Sequence, residues 1–352
     1  MVSDSGSPEF DDSINWSIRY AHPMQQFDFK VVNAEDPEGE VPVKVAGQIM
    51  VDVQNLLSDI GELMVRQELR TQGLLPDGIK SRFSLKMKGQ GTAAGPKRDS
   101  MLLEDALAQL CAELDRANLM SSTPSEVSNH IEAAGRRKIA SDMLALADHL
   151  DGYVMTYGQR GSLRKFRMNA RRSLEKESAG DVAPIQSAII GVLSRDPVHA
   201  SRWIISNGPD ALQASFADGI SRDEIASYAG AGPVIAVGSA VLDGSGNAVA
   251  MKDITACYDF PQARFHRIVT GDRDLSLLCP VAADIRFDRT RGLWNLSNDD
   301  LGISVSKPSW DEAVLAFHEY FMFLWETYAE AEDEFEGEEK EISDLLKSYA
   351  FP

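Results

Sequence analysis

PVIAVGSAVLDGSGNAVAMKDITACYDF, residues 233–260, sets two long apolar runs on either side of a DGSGN turn. Val, Ile and Ala dominate the first run, and a Gly-containing turn between two such runs reverses the chain as a hairpin. Strands are therefore expected at 234–242 and 249–260. Gly238 sits inside the first, and a strand glycine marks a bend or a place where another backbone comes close. Reading backwards, Ser221 and Glu224 form a capping box that opens a short helix at 221–228. Leu212, Ala214 and Phe216 alternate as a strand, residues 202–205 read as another, and 185–193 as a long first strand with Gly191 inside it.

Three strands, a helix and two strands over 184–260, with Gly191 and Gly238 where strands must bend, resembles the OB fold, a small five-stranded barrel. The resemblance implies ligand contacts on strands two and three, on the loop between strands one and two, and on the loop between strands four and five. Here those are Arg195, His199, Arg202, Trp203 and the 244–247 turn. Barrels that grip single strands combine a basic groove with stacking aromatics. This one carries four Lys or Arg (195, 202, 222, 252) against eight Asp or Glu, and Phe216 is assigned to the core. A protein-interaction or packing role suits that composition at least as well as nucleic-acid binding.

N-terminal to the barrel, residues 27–32 alternate as a strand. Val45, Ile49, Val53, Leu56, Ile60 and Met64 then recur at helical spacing, the signature of one buried face. Residues 82–88 alternate again and are expected to form a strand, followed by GQGTAAGPK at 89–97. That loop lacks the Gly-Lys-Ser/Thr ending of a phosphate cradle and reads as a connection to a helix at 101–117. A second helix is expected to start around 122–126 and to turn Ile139, Met143, Leu146 and Leu150 inward.

YGQRGSLRKFRMNARRSLEKE, residues 157–177, places seven Arg or Lys in a chain of net charge −19. Its pattern is a hairpin: a strand at 153–157, a turn at 158–162 and an extended 163–168. Asn169 is expected to cap a short helix that carries Arg171, Arg172 and Lys176 outward. Arg136, Arg137 and Lys138 are expected beside it. Two roles are open to Arg164, Lys165, Arg167, Arg171 and Arg172: pairing with the chain's own carboxylates, or contact with phosphate groups.

In the C-terminal third, 265–280 contains His266 and Cys279 without a partner at metal-ligand spacing. Residues 283–288 and 293–296 read as a hairpin, 302–306 as a third strand, and Ser309 with Glu312 as a capping box for a helix. LGISVSKPSWDEAVLAF, residues 301–317, is similar to the strand-then-helix of HicB-like antitoxin domains, which implies a partial ribonuclease-H-like fold without a catalytic centre. Phe317, Phe321, Leu324 and Tyr328 form one stripe of that helix, widened by Tyr320, Phe323 and Trp325. A stripe so broad reads as core packing or as an interface with a second copy or a partner, and because it is wider than one core contact needs, Phe317, Phe321, Leu324 and Tyr328 are expected to form such an interface. AEAEDEFEGEEKE at 329–341 is a solvated charge run, and Ile342, Leu345, Leu346 and Tyr349 suggest a final docking helix.

The fold class is thus α+β. Residues 11–178 are an N-terminal α/β domain ending in the basic hairpin, 184–260 the OB-like barrel, and 263–352 a hairpin with helices; GSPEF at 6–10 marks residues 1–10 as a translated cloning linker. Cys111, Cys257 and Cys279 are scattered and include no CxxC, which suits a reducing cytoplasm and indicates neither disulfide framework nor thiolate metal site. No membrane span, metal site or cofactor motif is read. The acidic surface favours a basic protein partner over nucleic acid at long range. The expected function is a non-catalytic interaction or regulatory protein, through protein partners or self-association. The alternatives are a nucleic-acid or nucleotide binder and a hydrolase whose site converges in space.

Overall fold

The computed structural model describes residues 17–19, 26–71, 74–85, 101–119, 133–159, 162–179, 186–209, 211–229, 232–242, 248–331 and 335–350. The linker-like 1–10, the loop at 89–97, the start of the second helix at 122–126 and the 244–247 turn fall outside these residues.

The first layer is an antiparallel sheet of β1 (Ser17–Arg19), β2 (Gln26–Asn33), β3 (Tyr153–Gln159) and β4 (Ser162–Lys165), in that order. With it go five helices, α1 (Val43–Leu69), α2 (Ile79–Arg82), α3 (Met101–Asn118), α4 (Ala133–His149) and α5 (Arg171–Ala179), of which α3 meets β3, α2 packs on α1 and α5 on α4. The long α1 buries Ile49, Val53, Leu56 and Ile60, as its spacing predicts, and packs on α3 and α4. Ile139, Met143, Leu146 and Leu150 of the second helix face the core.

Of the strand expected at 82–88, the described residues 82–85 form none, and 86–88 lie outside the described residues. Ile79–Arg82 is a helical turn entered from Gly78 in the left-handed region, and 83–85 is irregular. The Gln54 side chain takes the place of a neighbouring strand: its Nε2 donates to Phe83 O at 2.9 Å and its Oε1 accepts from the Leu85 amide at 2.5 Å. Phe83 wedges under α1 so closely that a Cβ at Gly61 would lie 2.3 Å from its ring. The alternation of Phe83 and Leu85 reflects this wedge and not a pleat.

Residues 186–259 close into a five-stranded barrel of β5 (Gln186–Arg195), β6 (Trp203–Ser206), β7 (Ala211–Phe216), β8 (Pro233–Leu242) and β9 (Ala248–Asp259), in the order β5-β6-β7-β9-β8. The β7–β9 pair is parallel and the others antiparallel. A short helix, α6 (Arg222–Tyr228), joins β7 to β8 and is capped by Ser221, whose hydroxyl accepts from the Asp223 and Glu224 amides. This arrangement is compatible with an OB-like barrel. Both glycines do what their placement predicts. At Gly191, where β5 leaves β8 for β6, a Cβ would stand 2.3 Å from the Ile205 side chain that fills the interior. At Gly238 a Cβ would meet Lys252 O at 2.7 Å, because the β8–β9 register shifts there and Asp253 bulges with φ 49°.

The C-terminal part is a four-stranded antiparallel meander, β10 (Gln262–Val269), β11 (Asp274–Asp288), β12 (Leu293–Asn298) and β13 (Ile303–Lys307). α7 (Trp310–Leu324) packs on β10, β12 and β13, a π-helical turn at Trp325–Ala329 follows, and α8 (Glu338–Tyr349) docks on β11. β10 and the first half of β11 extend the sheet beyond the sequence expectation. Residues that the sequence divides into an N-terminal and a C-terminal unit contribute to one continuous hydrophobic cluster, from Phe27 to Ala350. The barrel interior forms a separate cluster around Ile189, Leu193, Ile205, Val234, Met251 and Ile254.

Candidate functional site

The basic hairpin is tied to the C-terminal end of α3 by polar groups. Tyr157 Oη donates to Asp115 Oδ1 at 2.6 Å, and Asn118 Nδ2 donates to Tyr157 Oη at 3.0 Å and to Lys165 O at 3.1 Å. The Arg167 amide donates to Asn118 Oδ1. Burial and the hydrogen bond to Asp115 hold the Tyr157 hydroxyl well above the usual phenol range. Arg164 pairs with Asp115 and lies over the Tyr157 ring, while Arg171 bonds Asp148 at 2.5 Å and Glu175 at 3.2 Å. Asn169 does not cap α5; its side-chain amide donates to Asn118 O, and the first helical bonds end on Ala170 O. The turn is tighter than expected, since Gln159 pairs directly with Ser162. Lys165, Arg167 and Arg172 stand exposed, with no acidic partner among the described residues.

The neighbouring cations are also largely engaged. Lys138 pairs with Asp59. Arg136 is buried, so desolvation pulls its guanidinium below the usual range, with Glu177 opposing the shift. Arg116, buried beside it, bonds Glu113 at 2.8 Å and Glu177 at 2.9 Å, and Gln109 donates to the other Glu113 oxygen at 3.0 Å. α3 and α5 are locked together by this network, with Arg136 of α4 alongside.

On the barrel, Trp203 shares the parity of the buried Ile205 and so leans over the interior mouth. Its ring meets Phe216 edge-on at 6.1 Å, and the Arg195 guanidinium covers its face at 3.6 Å. A base stacking on that face would have to displace Arg195. The opposite face of strands two and three presents Ile204, Ser206, Ala211, Gln213 and Ser215, with no charge or aromatic ring. In the loop between strands one and two, Asp196 accepts from the Val198 and His199 amides, and these bonds hold its carboxyl below the usual range. Arg202 and His199 are exposed at the same loop.

α7 opens on Ser309, whose hydroxyl accepts from the Glu312 amide at 3.1 Å. Its first turn clamps the end of α1: Trp310 Nε1 donates to Arg70 O at 2.9 Å, and the Leu74 amide donates to Asp311 at 3.1 Å. The stripe expected to face either core or partner is core. Phe317, Phe321 and Leu324 are buried by the chain's own meander and α8, and Tyr328 is half-buried against Phe335 at 5.3 Å. Phe317, Phe321 and Leu324 are therefore not a free surface. A second row, set off from this stripe, is exposed: Tyr320 by 42 % and Phe323 by 60 %, their rings 6.3 Å apart. Tyr320 and Phe323 were visible in the sequence as a widening of the stripe; their three-residue spacing on the far flank of Phe317 and Phe321 is the signal that separates them from it. At the end of the helix the Arg273 guanidinium bonds Glu326 at 2.7 Å and Glu330 at 2.6 Å, and these bonds raise its pKa further.

Burial pushes the Cys111 thiol up to about 11 and raises that of Cys257, so neither is a ready thiolate. Among the described residues no group of three or more His, Cys, Asp or Glu stands where it could hold a metal ion, and no helix is long and apolar enough to cross a membrane. No protein-family model, curated protein or solved structure matches the chain.

Proposed function

We propose that this is a non-catalytic interaction protein that binds a protein partner through the outer face of α7. The observation that carries the reading is the exposed Tyr320–Phe323 pair, standing outside a helix whose inner stripe is already covered. Aromatic side chains concentrate at protein interfaces because they bury much area at little rotamer cost. On this reading the barrel, taken as an OB-fold module, serves packing: the outer side chains Ile190, Val192 and Ile235 join the main hydrophobic cluster. The test is co-purification from the native cell, followed by mass spectrometry, of the parent and a Tyr320→Ser/Phe323→Ser variant. A partner held by the parent and lost from the variant supports the reading; identical sets of partners overturn it.

A second reading, phosphate contact, draws on Lys165, Arg167 and Arg172, which are exposed without an acidic partner among the described residues. It predicts binding of single-stranded nucleic acid that falls steeply with salt as counterions are released. An anisotropy titration at low salt that shows no binding by the parent would end it.

A further inference from the structure

The residues of α7 that accompany Tyr320 and Phe323 on its outer side are Glu312, Ala316 and Glu319, continued by Glu326 and Thr327 of the π-helical turn. Glu326 is held by Arg273. Glu319 is exposed and has no cationic partner among the described residues, and Glu312 has a buried Oε2 with no hydrogen-bond partner. Glu312 and Glu319 lie two turns apart, separated by the small Ala316; Glu319 is open to solvent beside the two rings, whereas Glu312 is half-buried with its Oε2 inside the packing, so Glu319 carries the exposed charge of this row. Carboxylates beside an exposed aromatic pair form a receptor for cations: the ring faces attract Lys or Arg, and the glutamates pair with them.

Resting on the reading of α7 as an interaction face, we infer that its occupant is a Lys/Arg-rich segment of a partner protein, seated with its cations between Glu312, Glu319 and the Tyr320 and Phe323 rings. A net charge of −19 steers such a segment inward and repels a second copy, whose own Glu312 and Glu319 would face these across the contact. The same charge opposes a nucleic acid at this face.

The probe is a fluorescein-labelled amphipathic peptide of Lys, Arg and Leu, titrated by anisotropy against the full chain. Tyr320→Ser/Phe323→Ser should weaken it by roughly tenfold or more with the melting curve unchanged, because both side chains are exposed. Glu312→Gln/Glu319→Gln should weaken binding and flatten its salt dependence. Glu338→Gln/Glu339→Gln, which removes two exposed charges from the first turn of α8, should leave binding within about twofold. Four results overturn the inference: no binding of the peptide by the parent; parent-like binding by the aromatic variant; equal losses in the α7 and α8 charge variants, which would mark a diffuse field; or a dimer in sedimentation that the aromatic variant abolishes, which would make a second copy the occupant. If the aromatic variant loses its native partner while the peptide fails to bind the parent, the interaction reading stands and the basic partner falls.

Discussion

His318 shows how much a single side chain can say about pH. It is fully buried between Phe265 and Phe317, and its Nδ1 accepts from the Val269 amide at 2.9 Å, which leaves the proton on Nε2 facing packing that offers no acceptor. Burial draws its pKa down to about 3. Between pH 6.5 and about 3 the unfolded chain takes up a proton that the folded chain refuses, so this stabilisation is present above 6.5 and lost as pH falls. Asp142 has the opposite sign. Burial, with Asp59 adding to it, raises its carboxyl from 3.8 to about 7; the folded chain therefore binds the proton first, and the associated stability is present below 3.8 and lost as pH rises through 7. The two slopes oppose each other between about pH 4 and 6.5. Asp142→Asn should raise the melting temperature at pH 8 and have little effect at pH 4. His318→Phe, though it leaves the Val269 amide unpartnered, should lose less stability than the parent between pH 7 and pH 4.5. Melting curves at those four pH values check both signs.

Among elements, the buried network of α3, α4 and α5 carries the largest expected penalty. Glu113→Ala would leave the buried Arg116 with Glu177 alone, so its cost should approach, without reaching, the ~3–5 kcal/mol of stranding one member of a buried pair completely. Arg164→Ala, at a half-exposed pair with Asp115, should cost within about 1 kcal/mol; chemical denaturation of both variants gives the contrast. The burial of Arg116, Arg136 and Glu113 was not legible in the sequence, because the periodicity that locates a helix does not say which polar positions a third helix will cover. The barrel was legible because its strands alternate and its two bends need glycine. β10 was not: its register slips between Phe265 and Arg267, which breaks the two-residue period that a strand shows. The absence of a strand at 82–85 has the converse cause, since the Gln54 side chain supplies backbone hydrogen bonds to Phe83 and Leu85 that no pattern in the sequence announces. The candidate face on α7 was half legible: its aromatic content was plain, but which row the meander would cover depended on strands that the sequence left unassigned.

For the whole molecule, the described residues build two hydrophobic interiors in three stretches. The barrel closes on itself around Ile189, Leu193, Ile205 and Ile254, whereas the N-terminal helices and the C-terminal meander share one interior. That sharing is reinforced by polar bonds across a long separation in sequence: Arg82 pairs with Asp274 and donates to Thr270 O at 3.1 Å, Arg267 reaches Asp105 at 2.9 Å, and Trp310 Nε1 bonds Arg70 O. Cutting the chain at the barrel's edges should therefore have unequal results. Residues 184–260 alone contain their complete interior and should melt cooperatively with a β-type circular dichroism spectrum. They should also bind a hydrophobic dye that the full chain does not, because Ile190, Val192 and Ile235 lose the main cluster that covers them. Residues 26–179 alone lack Phe265, Val269, Val281 and Trp310 and should show helical signal without a cooperative transition; adding residues 261–350 as a separate chain should restore one. A cooperative melt of 26–179 by itself would mean that the shared interior is two independent ones in contact, and a disordered 184–260 would mean that the barrel depends on its docking face for closure.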